Sequence, residues 1–356
     1  MKILFNLLTK IFFISTTIFS SQVLAVTADD IENANPIGQT VEFWVQYSDE
    51  RLDAMMARAE RFEKETGIKV NITYKGHYGK VQSAMMTAAG TQDIADVARG
   101  YSNAAADMYQ IGAAIDQNIL ANSMKWGVSN VDKNDWGANW DVGFSPYFEN
   151  NPKLLHEVGK SIEIVYYNKT WLDELGLSEP KSPTEFAEAA CAATNSVFSG
   201  RVGETSSLGY EIDTDASNFA AWVFAHGGDV FDYDTGQYIL NSQPVIEAMQ
   251  FIQNMSNKGC AQVTRGKYAD QQYLGLGSNM FALGSTSGIM YFQSAIEEGY
   301  NGDWSISAIP YTTKEPVMNL YGGGLIMGKT DNADRMVATY QWMKYITNTE
   351  NSAIWS

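Results

Sequence analysis

The sequence has few cysteines, histidines and basic residues, and each shortage narrows what the protein can be. Among 356 residues there are two Cys, three His, and 24 Lys plus Arg against 41 Asp plus Glu, which gives a net charge of −17. So acidic a chain is a poor partner for phosphate backbones, and we expect no nucleic-acid binding. The His residues are too widely spaced for a zinc site, and no metal or other cofactor is expected.

Long apolar runs are scarce after the N-terminus. Residues 1–25 combine an early Lys2, an apolar run over 11–19 and a small-residue ending at Ala25. This run is too short to span a bilayer, so residues 1–25 are interpreted as a cleavable signal peptide; an uncleaved anchor is the alternative. We therefore expect an exported protein with no membrane-spanning segment.

The cysteine count has a consequence of its own. Cys191 and Cys260 are the only two in the chain. An even count in an exported protein is compatible with a disulfide, so we expect these two to be bonded; two separate buried thiols are the alternative.

Alternating strand and helix patterns indicate an α/β fold of about two domains. Apolar residues alternate over 41–45 and again over 68–72. Between them, residues 52–62 place apolar side chains on one helical face, and Gly67 ends the helix. Such a strand–helix–strand unit is typical of a parallel sheet.

Two stretches lack this pattern, and the chain ends without a stop signal. Residues 26–39 are interpreted as a loose N-terminal arm, and residues 122–152, rich in Asn, Asp, Trp and Gly, as a long surface excursion. The helix pattern near Ser356 has no glycine cap. We expect the sequence to be a C-terminally truncated piece of a longer protein.

Several segments, in order along the chain, resemble the extracellular solute-binding proteins of ABC importers. They are V-E-F-W-V (41–45), R-F-E-K-E-T-G-I-K-V (61–70), Y-K-G-H-Y (74–78), I-V-Y-Y-N-K-T-W-L-D-E-L-G-L (164–177), N-F-A-A-W-V-F-A-H-G-G-D-V-F-D (218–232), G-S-N-M-F-A-L-G-S-T-S (277–287) and A-I-P-Y (308–311). The similarity covers about 40–350. The nearest branch looks like the sugar and glycerol-3-phosphate binders.

The resemblance implies the two-lobe periplasmic-binding-protein fold of type II. Each lobe would be a mixed or parallel sheet flanked by helices, with hinge strands between the lobes. The implied divisions are 40–160 plus 305–350 for lobe 1 and 164–304 for lobe 2, with crossings near 161–164 and 306–310. The missing C-terminal part would belong largely to lobe 2.

The same resemblance implies a function. The protein would be the substrate-binding component of an ABC importer, periplasmic and monomeric, that captures a mono- or oligosaccharide in an inter-lobe cleft and delivers it to a membrane permease. One alternative is a binder of glycerol-3-phosphate or a glycerophosphodiester. A more distant one is an exported glycoside hydrolase, but the acidic pairs Asp213/Asp215 and Asp232/Asp234 are explained by turns. No enzyme activity is expected.

The resemblance also assigns candidate ligand contacts. Tyr78 lies in a loop after the second strand, Ser161 just before a crossing strand, and Gly323 at a strand edge where backbone N–H groups can approach a ligand. Trp222 could offer an aromatic plate to a sugar, with burial in the core as its alternative. Weaker candidates of the same kind are Ser287 and Tyr47.

Arg99 departs from the family pattern. It stands at a strand end where the glycerol-3-phosphate branch carries a carboxylate. A guanidinium there can grip a phosphate or carboxylate through paired hydrogen bonds, donate to sugar hydroxyls, or pair with Asp93 or Asp96. We expect it to contact the ligand.

A phosphate-loop pattern occurs once, at 323–330. These residues fit G-x-x-x-x-G-K-[ST] letter for letter. The motif functions only between a strand and a helix, with the variable residues in a loop. Because residues 325–327 look like a strand themselves, the match is interpreted as a coincidence.

Overall fold

A computed structural model describes residues 25–91, 93–264, 266 and 268–355. The predicted signal peptide lies outside the described residues except for Ala25. Within them, no helix combines the length and apolar character needed to cross a bilayer. The chain divides into two compact units: unit 1 comprises the described residues up to Val158 and from Gly324 onward, and unit 2 comprises Gly159–Gly323.

The helices of the described chain are short to medium in length. They are α1 (Ala28–Asn33), α2 (Asp49–Thr66), α3 (Tyr78–Ala88), α4 (Ser102–Gln110), α5 (Asn118–Ala121), α6 (Asn130–Trp136), α7 (Ala138–Asp141), α8 (Lys169–Glu174), α9 (Pro183–Thr194), α10 (Ala216–Ala225), α11 (Gln243–Asn257), α12 (Ala269–Gly275), α13 (Ile289–Glu298), α14 (Ala333–Thr347) and α15 (Thr349–Trp355), with a 3₁₀ turn at Thr286–Gly288.

The strands alternate with these helices through most of the chain. They are β1 (Thr40–Val45), β2 (Lys69–Tyr74), β3 (Val97–Gly100), β4 (His156–Glu157), β5 (Ser161–Asn168), β6 (Leu208–Ile212), β7 (Phe231–Asp232), β8 (Gln237–Tyr238), β9 (Ala261–Val263), β10 (Asn279–Ser285), β11 (Trp304–Ser307), β12 (Leu320–Tyr321) and β13 (Gly324–Met327).

Unit 1 is built on a five-stranded sheet of order β2-β1-β3-β13-β4. The strands β2, β1 and β3 are parallel, with Val45 opposite Tyr74 and Trp44 opposite Ala98. The late strand β13 is antiparallel to both β3 and β4. The predicted strand–helix–strand start is confirmed, and Gly67 ends α2 in the left-handed conformation with φ 72°.

Both faces of this sheet are covered by helices. Val41, Phe43 and Val45 point to one face, where they join Phe62 of α2 and Trp342 of α14 in one apolar cluster. The other face packs against α3 and α4 in a separate cluster. The alternation read from the sequence of β1 therefore reflects a sheet in which both faces are occupied.

The predicted loose arm at 26–39 is only partly irregular. A one-and-a-half-turn helix, α1, forms there because Thr27 and Asp30 make a reciprocal capping box at its start. Its Ile31 is buried in the same cluster as Trp342. The expectation failed because six residues are too few to show a helical period. The excursion at 122–152 likewise contains the short helices α6 and α7.

Unit 2 has its own mixed sheet, of order β11-β5-β10-β6-β9 with β12 beside β5. The strand β5 is antiparallel to β10, β11 and β12, whereas β10, β6 and β9 run parallel to one another. Two mixed sheets, each flanked by helices, confirm the predicted α/β class. The turn expected for the acidic pair Asp232/Asp234 is present: Asp232 ends β7, and Asp234 lies in the turn that leads to β8.

The second predicted crossing lies elsewhere in the structure. The sequence interpretation assigned 305–323 to lobe 1, whereas the structure groups these residues with unit 2. The reason is strand pairing: Ser305 lies opposite Tyr167 and Leu320 opposite Ile162, so both β11 and β12 extend the sheet of β5. The chain returns to unit 1 only at Gly324.

The cysteine prediction is confirmed within unit 2. Cys191 of α9 and Cys260, just before β9, form a disulfide with their Cα atoms 4.6 Å apart. The bond ties a flanking helix to an edge strand of the sheet.

The phosphate-loop match is confirmed as a coincidence. Its four variable positions are the strand β13, which is buried along its whole length. The next helix, α14, begins only at Ala333, three residues after the pattern ends. A strand cannot wrap its N–H groups around phosphates, because they are already used in the ladder.

Candidate functional site

Polar and aromatic side chains gather at one edge of the sheet in unit 1. Tyr47 follows β1, Tyr78 begins α3 after β2, and Arg99 lies near the end of β3. Because the three strands are parallel, their carboxyl ends meet at this edge, where open α/β sheets carry ligand sites. Tyr78 is thus the first residue of a helix, not the loop residue that the sequence suggested.

Arg99 contacts both of the other predicted residues at this edge, Tyr78 and Tyr47. The Nη2 atom of Arg99 donates a hydrogen bond to the Oη atom of Tyr78 at 3.3 Å. The guanidinium carbon lies 5.4 Å from the centre of the Tyr47 ring. Arg99 and Tyr47 are only 6% and 5% exposed, while Tyr78 is half-buried. We name Tyr47, Tyr78, Arg99, Gln46 and Tyr101 the arginine cluster.

Much of the hydrogen-bonding capacity of Arg99 is unused. Its buried Nε and Nη1 atoms have no hydrogen-bond partner among the described residues. The neighbouring carboxylate does not supply one: Asp96 forms its ion pair with Arg335, at 2.6 Å, and accepts a hydrogen bond from the Glu42 N–H. Asp93 is exposed. Unpaired buried donors are costly, so those of Arg99 need an explanation, and a ligand that accepts from them would provide one.

The surroundings of Arg99 keep its charge. Burial opposes the positive charge, but the Tyr47 and Tyr78 phenols and the Glu157 carboxylate outweigh it and raise the pKa of Arg99. Burial also raises the pKa of Tyr47, which therefore stays a neutral phenol. Glu157, on β4, is 6% exposed and brings a negative charge into the same environment. The positive charge of Arg99 is thus balanced locally.

The Tyr78 hydroxyl is a shared acceptor. Besides Arg99, the Nε2 atom of Gln46 donates to it at 2.9 Å. With both lone pairs engaged, the hydroxyl can still donate its own proton. The other end of the amide, Oε1 of Gln46, is buried without a partner among the described residues. The arginine cluster therefore offers unused donors and an unused acceptor side by side.

An additional aromatic ring completes the cluster. Tyr101, directly after β3, lies with its ring centre 4.4 Å from that of Tyr78, the planes inclined by 41°. Tyr47, Tyr78 and Tyr101 thus provide ring faces beside the polar atoms of Arg99. Aromatic faces next to converging polar groups suit ligands that have both apolar and hydroxylated surfaces.

Three other predicted residues lie in unit 2, around the start of β5. Ser161 is the first residue of β5 and pairs with Tyr321 of β12. Gly323 comes two residues after Tyr321 in the chain and is buried. The 3₁₀ turn that contains Ser287 lies beside them, since Oγ1 of Thr286 accepts the Ile162 N–H at 3.2 Å. Oγ of Ser287 lies 2.9 Å from that of Ser285. The structure therefore brings Ser161, Ser287 and Gly323 to one end of the unit 2 sheet.

Trp222 occupies a different position from the one predicted. Its side chain is 2% exposed and lies in the core of unit 2, against Phe186 at 5.4 Å between ring centres. Its indole N–H donates to the Tyr210 hydroxyl at 3.2 Å. With its polar atom paired and its ring enclosed, Trp222 is a packing residue, as the alternative interpretation stated.

Sequence reasoning missed Gln46, Tyr101 and Glu157. The first two had a usable signal, because Gln46 directly precedes Tyr47 and Tyr101 comes two residues after Arg99. Glu157 had none: it reaches this edge because β4 pairs with β13, which comes from the far end of the sequence. Among the described residues, no three or more His, Cys, Asp or Glu side chains form a cluster that could hold a metal ion.

Comparisons with solved structures show the fold. UgpB from Mycobacterium tuberculosis, in complex with glycerophosphocholine, is 20% identical with a TM-score of 0.74, over 89% of this chain and 77% of that one. The GacH receptor of Streptomyces glaucescens is 18% identical with a TM-score of 0.70, over 89% of this chain and 77% of that one. The maltose/maltodextrin-binding domain MalE from Bdellovibrio bacteriovorus, bound to maltotriose, is 18% identical with a TM-score of 0.66. The match covers 89% of this chain and 78% of that one.

The family is shown by the sequence itself. No curated protein sequence is similar enough to this chain to count as a match. The model of the bacterial extracellular solute-binding proteins, however, matches residues 57–356. That family and the structural neighbours are substrate-binding transport proteins and not enzymes, and an extracellular family implies an exported protein. The chain therefore belongs to the bacterial extracellular solute-binding protein family.

Proposed function

We propose that this protein is the periplasmic substrate-binding component of an ABC importer, that it captures a neutral mono- or oligosaccharide, and that it passes this solute to a membrane permease. The observation that carries the proposal is the arginine cluster. Arg99 is charged and 6% exposed, with Nε and Nη1 unpaired, at the edge of the sheet where solute sites form.

Hydroxyl groups match the unused atoms of this cluster. A sugar hydroxyl both accepts and donates, so it can accept from Nε or Nη1 of Arg99 and donate to Oε1 of Gln46. A fully ionised phosphate or carboxylate group can only accept, so by itself it would leave Oε1 of Gln46 without a donor. The nearby negative charge of Glu157 also makes a second anion unfavourable there.

The aromatic rings supply the remaining requirement. A sugar ring has an apolar C–H face that stacks on aromatic side chains. Tyr78 and Tyr101 present adjacent rings, and both are half-buried, so a solute would meet these rings before the buried Arg99. The buried atoms of Arg99 and Gln46 would be reached as the side chains around them separate. Ser161, Ser287 and Gly323 are kept as proposed contacts in unit 2.

A thermal-shift panel tests the proposal. It compares glucose, maltose and maltotriose with glycerol-3-phosphate and glycerophosphocholine. A ligand at 100 times its dissociation constant adds about 2.7 kcal/mol of stability, which is easily measured. We expect a shift with at least one neutral sugar. Shifts confined to the phosphorylated solutes would overturn the choice of ligand class in favour of the glycerol-3-phosphate alternative.

The hydrolase alternative is tested in the same samples. After prolonged incubation with the stabilising sugar, chromatography should recover it unchanged. Release of smaller sugars in proportion to the amount of protein would show turnover and contradict a purely binding role.

A further inference from the structure

A cavity lies in unit 1, at the opposite edge of the sheet from the arginine cluster. Its volume is about 830 Å³, within the range of small-molecule sites. Among its lining residues are Ile37 and Ile68, which precede β1 and β2. A six-residue strand spans about 20 Å, so this cavity and the cluster at the carboxyl ends are separate sites.

Aromatic side chains form much of its wall. Trp126 and Trp136 line it from the 122–152 excursion, and Phe62 and Tyr345 line it from α2 and α14. The two tryptophans and Tyr345 are half-buried, so their surfaces are available to a ligand. The rings of Phe62 and Tyr345 lie 5.0 Å apart, which fixes that side of the wall.

One polar atom of the lining residue Trp126 lacks a partner. The Nε1 atom of Trp126 is buried and has no hydrogen-bond partner among the described residues. The indole N–H is a donor only, so it needs an acceptor. Since most buried indole N–H groups are paired, this unpaired donor can be satisfied by a ligand oxygen once the Trp126 side chain turns towards the cavity.

The positive and negative charges of the cavity lining are equal in number, and both lysines already contact other groups of the protein. Lys344 donates to the carbonyl oxygens of Trp126, at 2.6 Å, and Gly127, at 3.1 Å. The amine of Lys125 lies 4.4 Å from the centre of the Trp126 ring. Asp132 and Asp135 supply two negative charges against these two positive ones. A charged ligand would gain nothing from such a lining.

From these features we infer that this cavity binds a neutral, hydroxylated ring compound of the pyranose type, as a second site independent of the arginine cluster. The sugar ring stacks on the tryptophan and tyrosine faces, and one of its oxygens accepts the Trp126 indole N–H. Amide side chains at the rim, including Asn33 and Gln341, bind the remaining hydroxyls.

NMR of the indole N–H groups tests this inference directly. Maltose is the probe, and the protein carries Arg99→Leu so that binding at the arginine cluster does not contribute. The Trp126 signal is assigned by its absence from Trp126→Phe. We expect it to move downfield with saturable dependence on maltose. No movement at tens of millimolar maltose would overturn the inference.

Matched variants place the effect in the cavity. Ile37 is 67% exposed and lines the cavity, whereas Ile111 is 49% exposed in the same unit and does not. Ile37→Trp should fill the cavity and weaken maltose binding at least tenfold, and Ile111→Trp should leave it unchanged. Equal maltose affinity in Ile37→Trp and Ile111→Trp contradicts the proposed site. This comparison does not depend on whether Trp126→Phe folds. A response to p-cresol but not to maltose contradicts the ligand class.

Discussion

Arg99 and Tyr78 stand 21 residues apart in the sequence, yet the guanidinium Nη2 donates to the phenol oxygen at 3.3 Å. The strand order explains the contact. The sheet places β2 and β3 on the two sides of β1, so the segments that follow them meet over the end of β1, where Tyr47 lies. The buried Arg99 guanidinium therefore lies among the segments that follow β1, β2 and β3, and its Nε and Nη1 atoms have no hydrogen-bond partner among the described residues.

Removing the Tyr78 hydroxyl should weaken sugar binding and leave the fold intact. Tyr78→Phe keeps the ring but removes the atom that accepts from Arg99 and Gln46. One hydrogen bond to a charged group contributes about 1.5–3 kcal/mol, so we expect about a tenfold to hundredfold loss of affinity by titration calorimetry. Tyr74→Phe, at an exposed position of β2, is the control. Equal losses in both variants would contradict the role of Tyr78.

Truncating Trp222 should destabilise unit 2. Its ring fills the core beside Phe186, and its N–H is bonded to Tyr210. Loss of a large buried aromatic side chain costs about 3–5 kcal/mol. Hydrogen exchange by mass spectrometry should show faster exchange in unit 2 of Trp222→Ala and unchanged exchange in unit 1. Weakened sugar binding by a variant of unchanged stability would restore the ligand-plate interpretation.

Reduction of the disulfide should also act on unit 2 alone. The bond between Cys191 and Cys260 spans 69 residues, all in unit 2. Chain-entropy arguments assign such a loop about 4 kcal/mol. Dithiothreitol should therefore lower the denaturation midpoint of the wild-type protein. The double variant Cys191→Ala/Cys260→Ala should start at the lower midpoint and show no response to reductant; a response there would mean that the reductant acts elsewhere.

Acid should destabilise unit 1 through His156. Burial, followed by the charges of Lys153 and Lys344, lowers the pKa of His156 to about 3. The imidazole is thus neutral in the folded state and takes up a proton below pH ~6.5 only on unfolding. This contribution to stability is complete above pH ~6.5 and is lost as the pH falls towards 3. At pH 4.5 the loss is about 2.7 kcal/mol.

Urea unfolding at pH 7 and pH 4.5 measures this slope, that is, the fall in the free energy of unfolding between the two pH values. His156→Gln should remove it, at the cost of part of the 2.8 Å contact with Thr347. His77→Gln, at an exposed position in the same unit, should retain the wild-type slope. An unchanged pH dependence in His156→Gln would show that other groups govern acid stability.

The sequence predicted the local structure of unit 1 well, for a physical reason. Strand and helix periods are set by residues close together in the chain, and strand ends follow from them. The sequence pattern therefore places Tyr47, Tyr78 and Arg99 at strand ends whatever the order of the strands in the sheet. Their meeting at one edge needs only that the strands be parallel, which the strand–helix–strand spacing already favoured.

What the sequence could not predict depends on distant pairing. Residues 305–323 stay with unit 2 because β11 and β12 pair with β5, a strand some 140 residues earlier. Glu157 reaches the environment of Arg99 through β13 in the same way. Trp222 was ambiguous because an aromatic residue on an apolar helix fits a core as well as a ligand site. Only packing against Phe186 decides between the two.

Titration calorimetry on Arg99→Leu tests the central claim most directly. The neutral sugar that stabilises the protein most is titrated into the wild type, into Arg99→Leu, and into Arg61→Leu, whose side chain is exposed on α2 of the same unit. Loss of two charged donors should cost at least about 3 kcal/mol, or roughly a hundredfold in affinity, in Arg99→Leu only. Wild-type affinity in a folded Arg99→Leu would contradict the placement of the solute at the arginine cluster.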